Sequence, residues 1–177
     1  MSEKNNVTFH EEQQFRQPWV WIIIIPPTLI LWYIALQELV FDNPVGNSNA
    51  SDTALFLFWV LLGILLPLFF YKLKLITEVR ENGLYIRFLP FHRSFKRIPL
   101  EQLKKHEVRT YRAITEYGGR GITWGPAGKA YNVSGNRGVQ LEFTDGKRLL
   151  IGSQKPEQLD SAIAQYVKNH DRAEDIE

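Results

Sequence analysis

The sequence predicts a membrane-anchored α+β protein, in which a helical hairpin precedes one small, strand-rich domain. Two long apolar segments, residues 19–41 and 54–71, lie near the N-terminus. After them the chain is polar and alternates short β-type runs with turn residues, and it ends in one amphipathic helix. These observations predict a cytoplasmic N-terminal arm, a transmembrane hairpin, a folded domain and an acidic tail, at residues 1–18, 19–71, 72–170 and 171–177.

The N-terminal arm is predicted to form a short interfacial helix over residues 9–17. It carries a pair of carboxylates, Glu11 and Glu12, ahead of Phe15 and Arg16. Charges and an aromatic ring in this order are typical of a helix lying along an interface.

Both apolar segments are long enough to cross a bilayer as helices. A hydrocarbon core of about 30 Å needs roughly 20 apolar residues. The first segment has one charge, Glu38, near its outer end, and the second has none. A cleaved signal peptide is excluded because the first run is too long and a second apolar segment follows. A buried core hairpin of a soluble protein is the remaining alternative, and charge-free runs of this length disfavour it.

Prolines interrupt both segments. Pro26 and Pro27 predict a kink in the first helix that faces the second, and Pro67 predicts a bend near the inner end of the second. A membrane helix tolerates proline when neighbouring groups bind the carbonyls that proline leaves without a donor.

The charges flanking the hairpin predict its orientation. The loop at residues 42–53 contains two Asp and no Lys or Arg, whereas Lys4, Arg16, Lys72 and Lys74 lie on the other side of the helices. Since basic flanks stay in the cytoplasm, both termini are predicted to be cytoplasmic in a multi-pass protein of the plasma (inner) membrane.

The domain is predicted to contain about seven strands. The pattern gives strands at residues 75–80, 84–89, 94–98, 106–114, 130–133, 139–143 and 147–151. Residues 99–105 are predicted as a helical turn, and the Gly-rich residues 118–129 as a flexible connection. Asp145-Gly146 supplies the turn of the clearest hairpin.

A C-terminal helix is predicted to follow the last strand. Ser153 is a suitable N-terminal cap and Pro156 suits the first turn. Leu159, Ile163, Tyr166 and Val167 recur at helical spacing and form one apolar face.

One block resembles a known family. Over residues 129–159 the order is a Gly138-Val139-x-Leu141 strand, a turn, an Ile151-Gly152-Ser153 strand and a helix. This order resembles bacterial membrane proteins in which a two-helix hairpin precedes a pleckstrin-homology-like domain, a largely uncharacterised group. The resemblance covers roughly residues 19–170 and implies a β-sandwich or barrel with a C-terminal helix.

The sequence offers no catalytic, metal or cofactor site. There is no cysteine, which excludes disulfides and thiol catalysis. The four histidines lack metal-ligand spacing, and neither Ser134 nor Ser153 has a recognisable base. The Gly-rich segment is not a phosphate-binding loop, because Thr123 and Ala130 occupy positions that need Gly and Ser or Thr. We therefore expect no enzyme activity.

Basic residues dominate the domain. Residues 72–155 carry 17 Lys and Arg against 7 Asp and Glu, a net of +10, whereas residues 156–177 carry a net of −4. Either selection for topology or attraction to an anionic leaflet explains the excess. The candidate surface for anionic lipid or a partner comprises Arg93, Lys96, Arg97, Lys104, Lys105, Arg109, Arg112, Arg120 and Arg137.

Two functional hypotheses remain open. In the first, the domain of a non-enzymatic scaffold binds anionic lipid headgroups or a protein partner at the inner leaflet of the bilayer. In the second, the protein is an assembly or accessory factor that contacts a larger membrane complex through its hairpin. Nucleic acid is not an expected partner, because the basic residues follow no recognition motif.

Overall fold

The computed structural model describes residues 7–41, 43, 45 and 51–174, with the backbone alone at 52 and 171–174. The chain divides into two compact units. The helical unit is Phe15–Leu73, and the β-rich unit combines Met1–Gln14 with Lys74–Glu177. Lys4, residues 175–177 and most of the predicted outer loop, residues 42–53, lie outside the described part.

The helical unit contains two helices long and apolar enough to cross a membrane, Pro18–Leu39 and Thr53–Lys72. The first, α1, begins with a proline and continues through Pro26 and Pro27. The kink in α1 and the bend at Pro67 stay predictions.

The second apolar helix changes its winding along its length. It consists of α2 (Asp52–Phe58), a π-helical segment (Trp59–Leu65) and α3 (Leu66–Lys72). Ser51 caps its start, accepting a hydrogen bond from the Ala54 amide at 3.3 Å. The wider winding lies just before Pro67, whose missing N–H removes one ordinary helical hydrogen bond.

The described part of the β-rich unit contains nine strands in two sheets. The first sheet has the order β1-β2-β3-β4 and is antiparallel throughout. Its strands are Val7–Gln14, Lys74–Arg80, Gly83–Leu89 and Lys96–Ile98. The second sheet has the order β5-β8-β9-β7-β6, in which only β7 and β9 run parallel. Its strands, from β5 to β9, are Leu103–Thr110, Gly121–Gly125, Gly128–Asn132, Arg137–Phe143 and Arg148–Gly152.

Two helices accompany these sheets. The short helix α4 is Ala113–Tyr117, and α5 is Pro156–Glu174. The apolar face predicted for α5 is confirmed, since Leu159, Ile163 and Tyr166 are buried. The helix extends to Glu174, four residues into the segment predicted as a tail.

The N-terminal arm contains the strand β1 over Val7–Gln14, so the helix predicted over residues 9–17 is wrong. Phe9, Glu11 and Gln13 are buried while His10 and Glu12 are exposed, a period of two residues. This alternation is that of a half-buried strand. The strand pairs with β2 along its length and forms one edge of the first sheet.

Three further predictions in the domain need correction. Of the helical turn predicted for residues 99–105, only a short turn is present, closed by a hydrogen bond from the Leu103 amide to the Leu100 carbonyl at 3.0 Å, and β5 begins at Leu103. The strand predicted for residues 106–114 ends at Thr110, and α4 follows it. The Gly-rich connection contains β6, which pairs with β7. The strands therefore number nine in the described part rather than about seven.

The helical unit is an insertion between two paired strands. Gln14, the last residue of β1, is the register partner of Lys74, the first residue of β2. Beside them, the ammonium of Lys74 lies 2.5 Å from a carboxylate oxygen of Glu12. The chain thus leaves the β-rich unit and returns to it at the same place.

Candidate functional site

The nine predicted basic residues divide according to whether their side chains already have partners. Arg120 donates to the carbonyl of Gly135 at 2.8 Å. Four others form ion pairs: Arg97 with Glu101 at 2.5 Å, Lys105 with Glu107 at 2.6 Å, Arg109 with Glu116, and Arg137 with Glu157. The ion pair between Lys105 and Glu107 raises the pKa of the ammonium and lowers that of the carboxyl.

Arg93, Lys96, Lys104 and Arg112 are exposed, and their side chains make no hydrogen bond or ion pair with another described residue. Arg93 and Lys96 lie together, in the connection between β3 and β4 and at the start of β4. Lys104 and Arg112 lie near opposite ends of β5. The nine residues are therefore spread over both sheets. Of the four that lack partners, only Arg93 and Lys96 lie close to each other.

The connection between β3 and β4 leaves the first sheet beside the point where the helical unit is inserted. Leu89, the last residue of β3, is the register partner of Lys74. Two residues further on, Phe91 is 60% exposed, and Arg93 follows it. An exposed aromatic ring and an unpaired guanidinium, those of Phe91 and Arg93, thus follow Leu89 closely in the chain. Leu89 is paired with Lys74, the residue at which the chain returns from the apolar helices.

In the β6–β7 hairpin a lysine lies between two aromatic rings, one of which also contacts the connection between β3 and β4. The ammonium of Lys129 lies 4.7 Å from the centroid of the Trp124 ring and 4.9 Å from that of Tyr131. Both are cation–π distances. The Tyr131 ring lies 6.1 Å from the ring of His92, which precedes Arg93. We call Phe91, His92, Arg93, Lys96, Trp124, Lys129 and Tyr131 the basic–aromatic cluster.

Sequence reasoning found Arg93 and Lys96 in this cluster but missed the other members. The β6–β7 hairpin was hidden by its glycines, which the pattern assigns to a connection. Gly128 is needed because its φ is 111° and a side chain there would lie 2.5 Å from the Arg148 carbonyl. The turn residues Pro126-Ala127, with Trp124 before them, were the signal that a hairpin was present.

The cluster carries positive charge that no nearby acidic residue in the sequence opposes. Residues 86–98 and 118–133 contain Arg and Lys but no Asp or Glu. Burial, with smaller contributions from Lys96 and Lys129, lowers the pKa of His92. The amide of Phe88 donates to Nδ1 of His92 at 3.3 Å, which fits a neutral ring.

The histidine–carboxylate pairs and the serines of the β-rich unit have structural partners. His106 lies 2.6 Å from Asp160, and His10 lies 3.0 Å from Glu78. Ser153 donates to Glu11 at 2.5 Å and accepts from the Lys155 amide at 2.9 Å, in the segment just ahead of α5. In the portion of the chain that the structure describes, no group of three His, Asp or Glu is placed to hold a metal ion.

A buried polar network lies around α4. The Tyr117 hydroxyl donates to Gln140 at 2.6 Å, and Arg109 reaches both Gln140 and Glu116. Burial raises the pKa of Tyr117 and raises that of Tyr111 to about 12. Phenols that hold their protons so firmly suit packing and hydrogen bonding rather than acid–base chemistry near neutral pH.

The helical unit has a polar contact of its own. The indole N–H of Trp32 donates to the Gly63 carbonyl at 3.1 Å. Gly63 belongs to the π-helical segment that precedes Pro67. The Trp32 and Trp59 rings meet edge to face at 5.0 Å. An apolar groove of about 510 Å³ lies nearby, lined among others by Ile23, Pro27, Leu62 and Phe70.

A protein-family model, described as a family of unknown function (DUF6141), matches residues 2–170. No curated protein and no solved structure matches the chain.

Proposed function

The chain belongs to DUF6141, a family of unknown function, and for it we propose a non-enzymatic, membrane-anchored module whose β-rich unit binds anionic lipid headgroups at the inner leaflet. The observation that carries this proposal is the insertion of two apolar helices between register partners Gln14 and Lys74, in a chain whose β-rich unit carries exposed and unpaired cations. Of these, Lys96 begins β4 of the sheet into which the helices are inserted, and Arg93 lies in the connection from β3 to β4.

The pairing of β1 with β2 supports membrane anchoring by both helices. Strands that flank an insertion and pair with each other lie on one side of a bilayer, so the insertion crosses it an even number of times. The two apolar helices meet that requirement. The basic flanks Arg16, Lys72 and Lys74 favour the cytoplasmic side for the β-rich unit and both termini.

The architecture of the β-rich unit supports a pleckstrin-homology-like fold. Two mainly antiparallel sheets and a C-terminal helix with one buried face have the layout implied by the sequence resemblance. In this interpretation β1 belongs to the domain although it precedes the hairpin, and the β6–β7 hairpin extends the second sheet.

Charge supports lipid headgroups as the ligand. Each Lys or Arg near an anionic leaflet contributes about 1 kcal/mol of attraction. Arg93 and Lys96 have no carboxylate partner among the described residues, so binding a phosphate breaks no existing ion pair. The positive-inside rule alone explains Lys72 and Lys74, which flank the helix, better than it explains charges about 20 residues further along.

The proposal is tested with the full-length protein in mild detergent, titrated with phosphatidylglycerol or phosphatidylcholine and followed by native mass spectrometry. We expect preferential binding of phosphatidylglycerol that weakens with added ammonium acetate. The double variant Arg93→Glu and Lys96→Glu should bind it about tenfold more weakly or worse.

The matched control for this experiment is Lys105→Glu with Lys147→Glu. It makes the same change in net charge at two lysines that already pair with carboxylates, Lys147 with Asp145 at 2.5 Å. It should retain most of the binding. Equal binding of both lipids, or an equal loss in the two double variants, would contradict lipid recognition by this surface.

The groove in the helical unit favours a second function, that of an assembly or accessory factor. Pro27 and Phe70 line this apolar groove, which could receive a helix of a larger membrane complex. Replacing Pro26 and Pro27 with Leu should then abolish co-purification of that complex in mild detergent. The lipid-binding module predicts no such loss.

A further inference from the structure

We propose that Phe91 and Trp124 enter the headgroup region of the anionic leaflet and hold the β-rich unit against the bilayer; this inference rests on the proposed function. The surface is the basic–aromatic cluster, and its partner is a bilayer containing anionic lipid. The aromatic rings penetrate the headgroup region, while the surrounding cations are attracted to the anionic lipids.

Exposed apolar side chains are few in the described β-rich unit. Its large exposed hydrophobic residues are Val7, Phe91, Ile114 and Trp124. The two aromatic ones both belong to the cluster, with Phe91 60% and Trp124 67% exposed. Aromatic rings, above all Trp, are enriched where proteins meet the headgroup layer of a membrane.

Side-chain contacts connect the two rings. Lys129 lies against Trp124 on one side and against Tyr131 on the other, and the buried Tyr131 contacts His92. His92 is the neighbour of Phe91 in the chain. The Phe91 ring itself packs 5.9 Å from that of the buried Phe88, which anchors it to β3. Trp124 therefore stands on β6, and Phe91 lies in the β3–β4 connection but is fixed to the end of β3.

The charge of the cluster selects an anionic bilayer as its partner. Arg93 and Lys96 are exposed, and Lys129 is held over aromatic rings rather than by a carboxylate. A cation beside an exposed aromatic ring is suited to a lipid phosphate, because the stem of the lysine is apolar and its ammonium is not. Leu89, just before the connection that carries Phe91 and Arg93, is the register partner of Lys74, where the chain returns from the apolar helices.

The absence of cysteine from the sequence makes a direct test straightforward, because one introduced cysteine takes one spin label. Full-length Phe91→Cys and Trp124→Cys are reconstituted into nanodiscs with and without phosphatidylglycerol. The matched control is Ile114→Cys, at a position 79% exposed but outside the cluster. Collisions of each nitroxide with oxygen and with a water-soluble nickel chelate report its depth.

We expect labels at 91 and 124 to be several-fold less accessible to the nickel chelate, and more accessible to oxygen, than the label at 114. This difference should grow with the phosphatidylglycerol content. As a second measurement, Phe91→Ala with Trp124→Ala should lose the part of lipid binding that resists high salt, while Ile114→Ala keeps it.

The inference and the proposed function fail separately. If labels at 91 and 124 stay as exposed to nickel as the label at 114 while Arg93→Glu with Lys96→Glu still abolishes lipid preference, penetration is wrong and headgroup binding stands. Equal lipid binding in all variants overturns both. Immobilisation of the two labels by a co-purifying protein, without a change in depth, overturns the inference in favour of a protein partner.

Discussion

The pKa of His92 is set by its surroundings in the basic–aromatic cluster. Its ring is partly buried between the first sheet and Tyr131, and Nδ1 accepts a hydrogen bond from the Phe88 amide. The amide of His92 returns a bond to the Phe88 carbonyl at 2.8 Å. Burial and the two lysines Lys96 and Lys129 lower its pKa below the ordinary value of 6.5. The native ring is therefore neutral over a range of pH in which the unfolded chain already binds a proton.

This difference predicts a pH effect on stability. The contribution of His92 is fully present above pH about 6.5 and decreases as the pH falls toward the native pKa, since the unfolded state takes up the proton first. The thermal midpoint in uncharged detergent should fall between pH 7.5 and 5.5, and less steeply in His92→Gln. His170→Gln serves as the control. An unchanged slope in His92→Gln would show that this ring does not set the pH dependence.

Trp32 is the second residue whose role follows from one bond. Its indole N–H donates to the Gly63 carbonyl, in the π-helical segment of the second apolar helix. Trp32→Phe keeps an aromatic ring but removes this donor, so the helical unit should lose about 0.6–2 kcal/mol. Thermal unfolding in detergent measures the loss, and an unchanged midpoint in Trp32→Phe would argue against the role of this bond.

At the scale of the element, β1 joins the two sheets and the last helix. The carboxylate of Glu11 accepts hydrogen bonds from the Ser153 hydroxyl and, at 2.7 Å, from the Gln154 amide ahead of α5. Gln13 donates to the carbonyl of Gly152 at 2.7 Å, at the end of β9. A negative group at a helix N-terminus is favourable, so the strand stabilises a helix far away in sequence.

Glu11→Ala should therefore destabilise the β-rich unit by about 1–3 kcal/mol, because it leaves buried donors without an acceptor. Glu12→Ala is the matched control, since this exposed residue forms a surface ion pair with Lys74, worth about 0–1 kcal/mol, and an exposed hydrogen bond with Gln14. Hydrogen exchange in the full-length protein locates the effect, which should appear in the first turns of α5. Comparable losses in the two variants would refute the stabilisation of α5 by Glu11.

Elements with long or repeated patterns were predictable from sequence, and those decided by distant contacts were not. The apolar helices and α5 were correct because uninterrupted apolar runs and 3.6-residue spacing have few alternatives. The buried positions of β1 alternate in the sequence as Phe9, Glu11 and Gln13. Because two of these three residues are polar, the sequence does not show the apolar alternation that is typical of a half-buried strand. Their burial depends on Ser153 and Gly152, about 140 residues away, which no local pattern reveals. In the candidate site, sequence identified the cations but not which of them are paired.

At the scale of the whole molecule, the insertion of the helical unit predicts topology. Residues on both sides of the hairpin should be protected from an external maleimide in intact cells, because β1 and β2 pair with each other. We expect Val7→Cys and Lys168→Cys to be labelled only after permeabilisation. Ser48→Cys, between the two apolar segments of the sequence, should be labelled at once. External labelling at only one of positions 7 and 168 would contradict an even number of crossings, and external labelling at both would reverse the predicted orientation.

The same connection determines the order in which the chain can be completed. Synthesis releases β1 first, and its neighbour β2 emerges only after both apolar helices have left the ribosome. Three features of the β-rich unit can therefore form only afterwards: the pairing of β1 with β2, the hydrogen bond of Glu11 ahead of α5, and the hydrogen bond from Gln13 to the Gly152 carbonyl. A nascent polypeptide whose hairpin fails to insert into the bilayer would have an incomplete first sheet. Cellular surveillance of membrane insertion would therefore also remove chains whose β-rich unit has not folded.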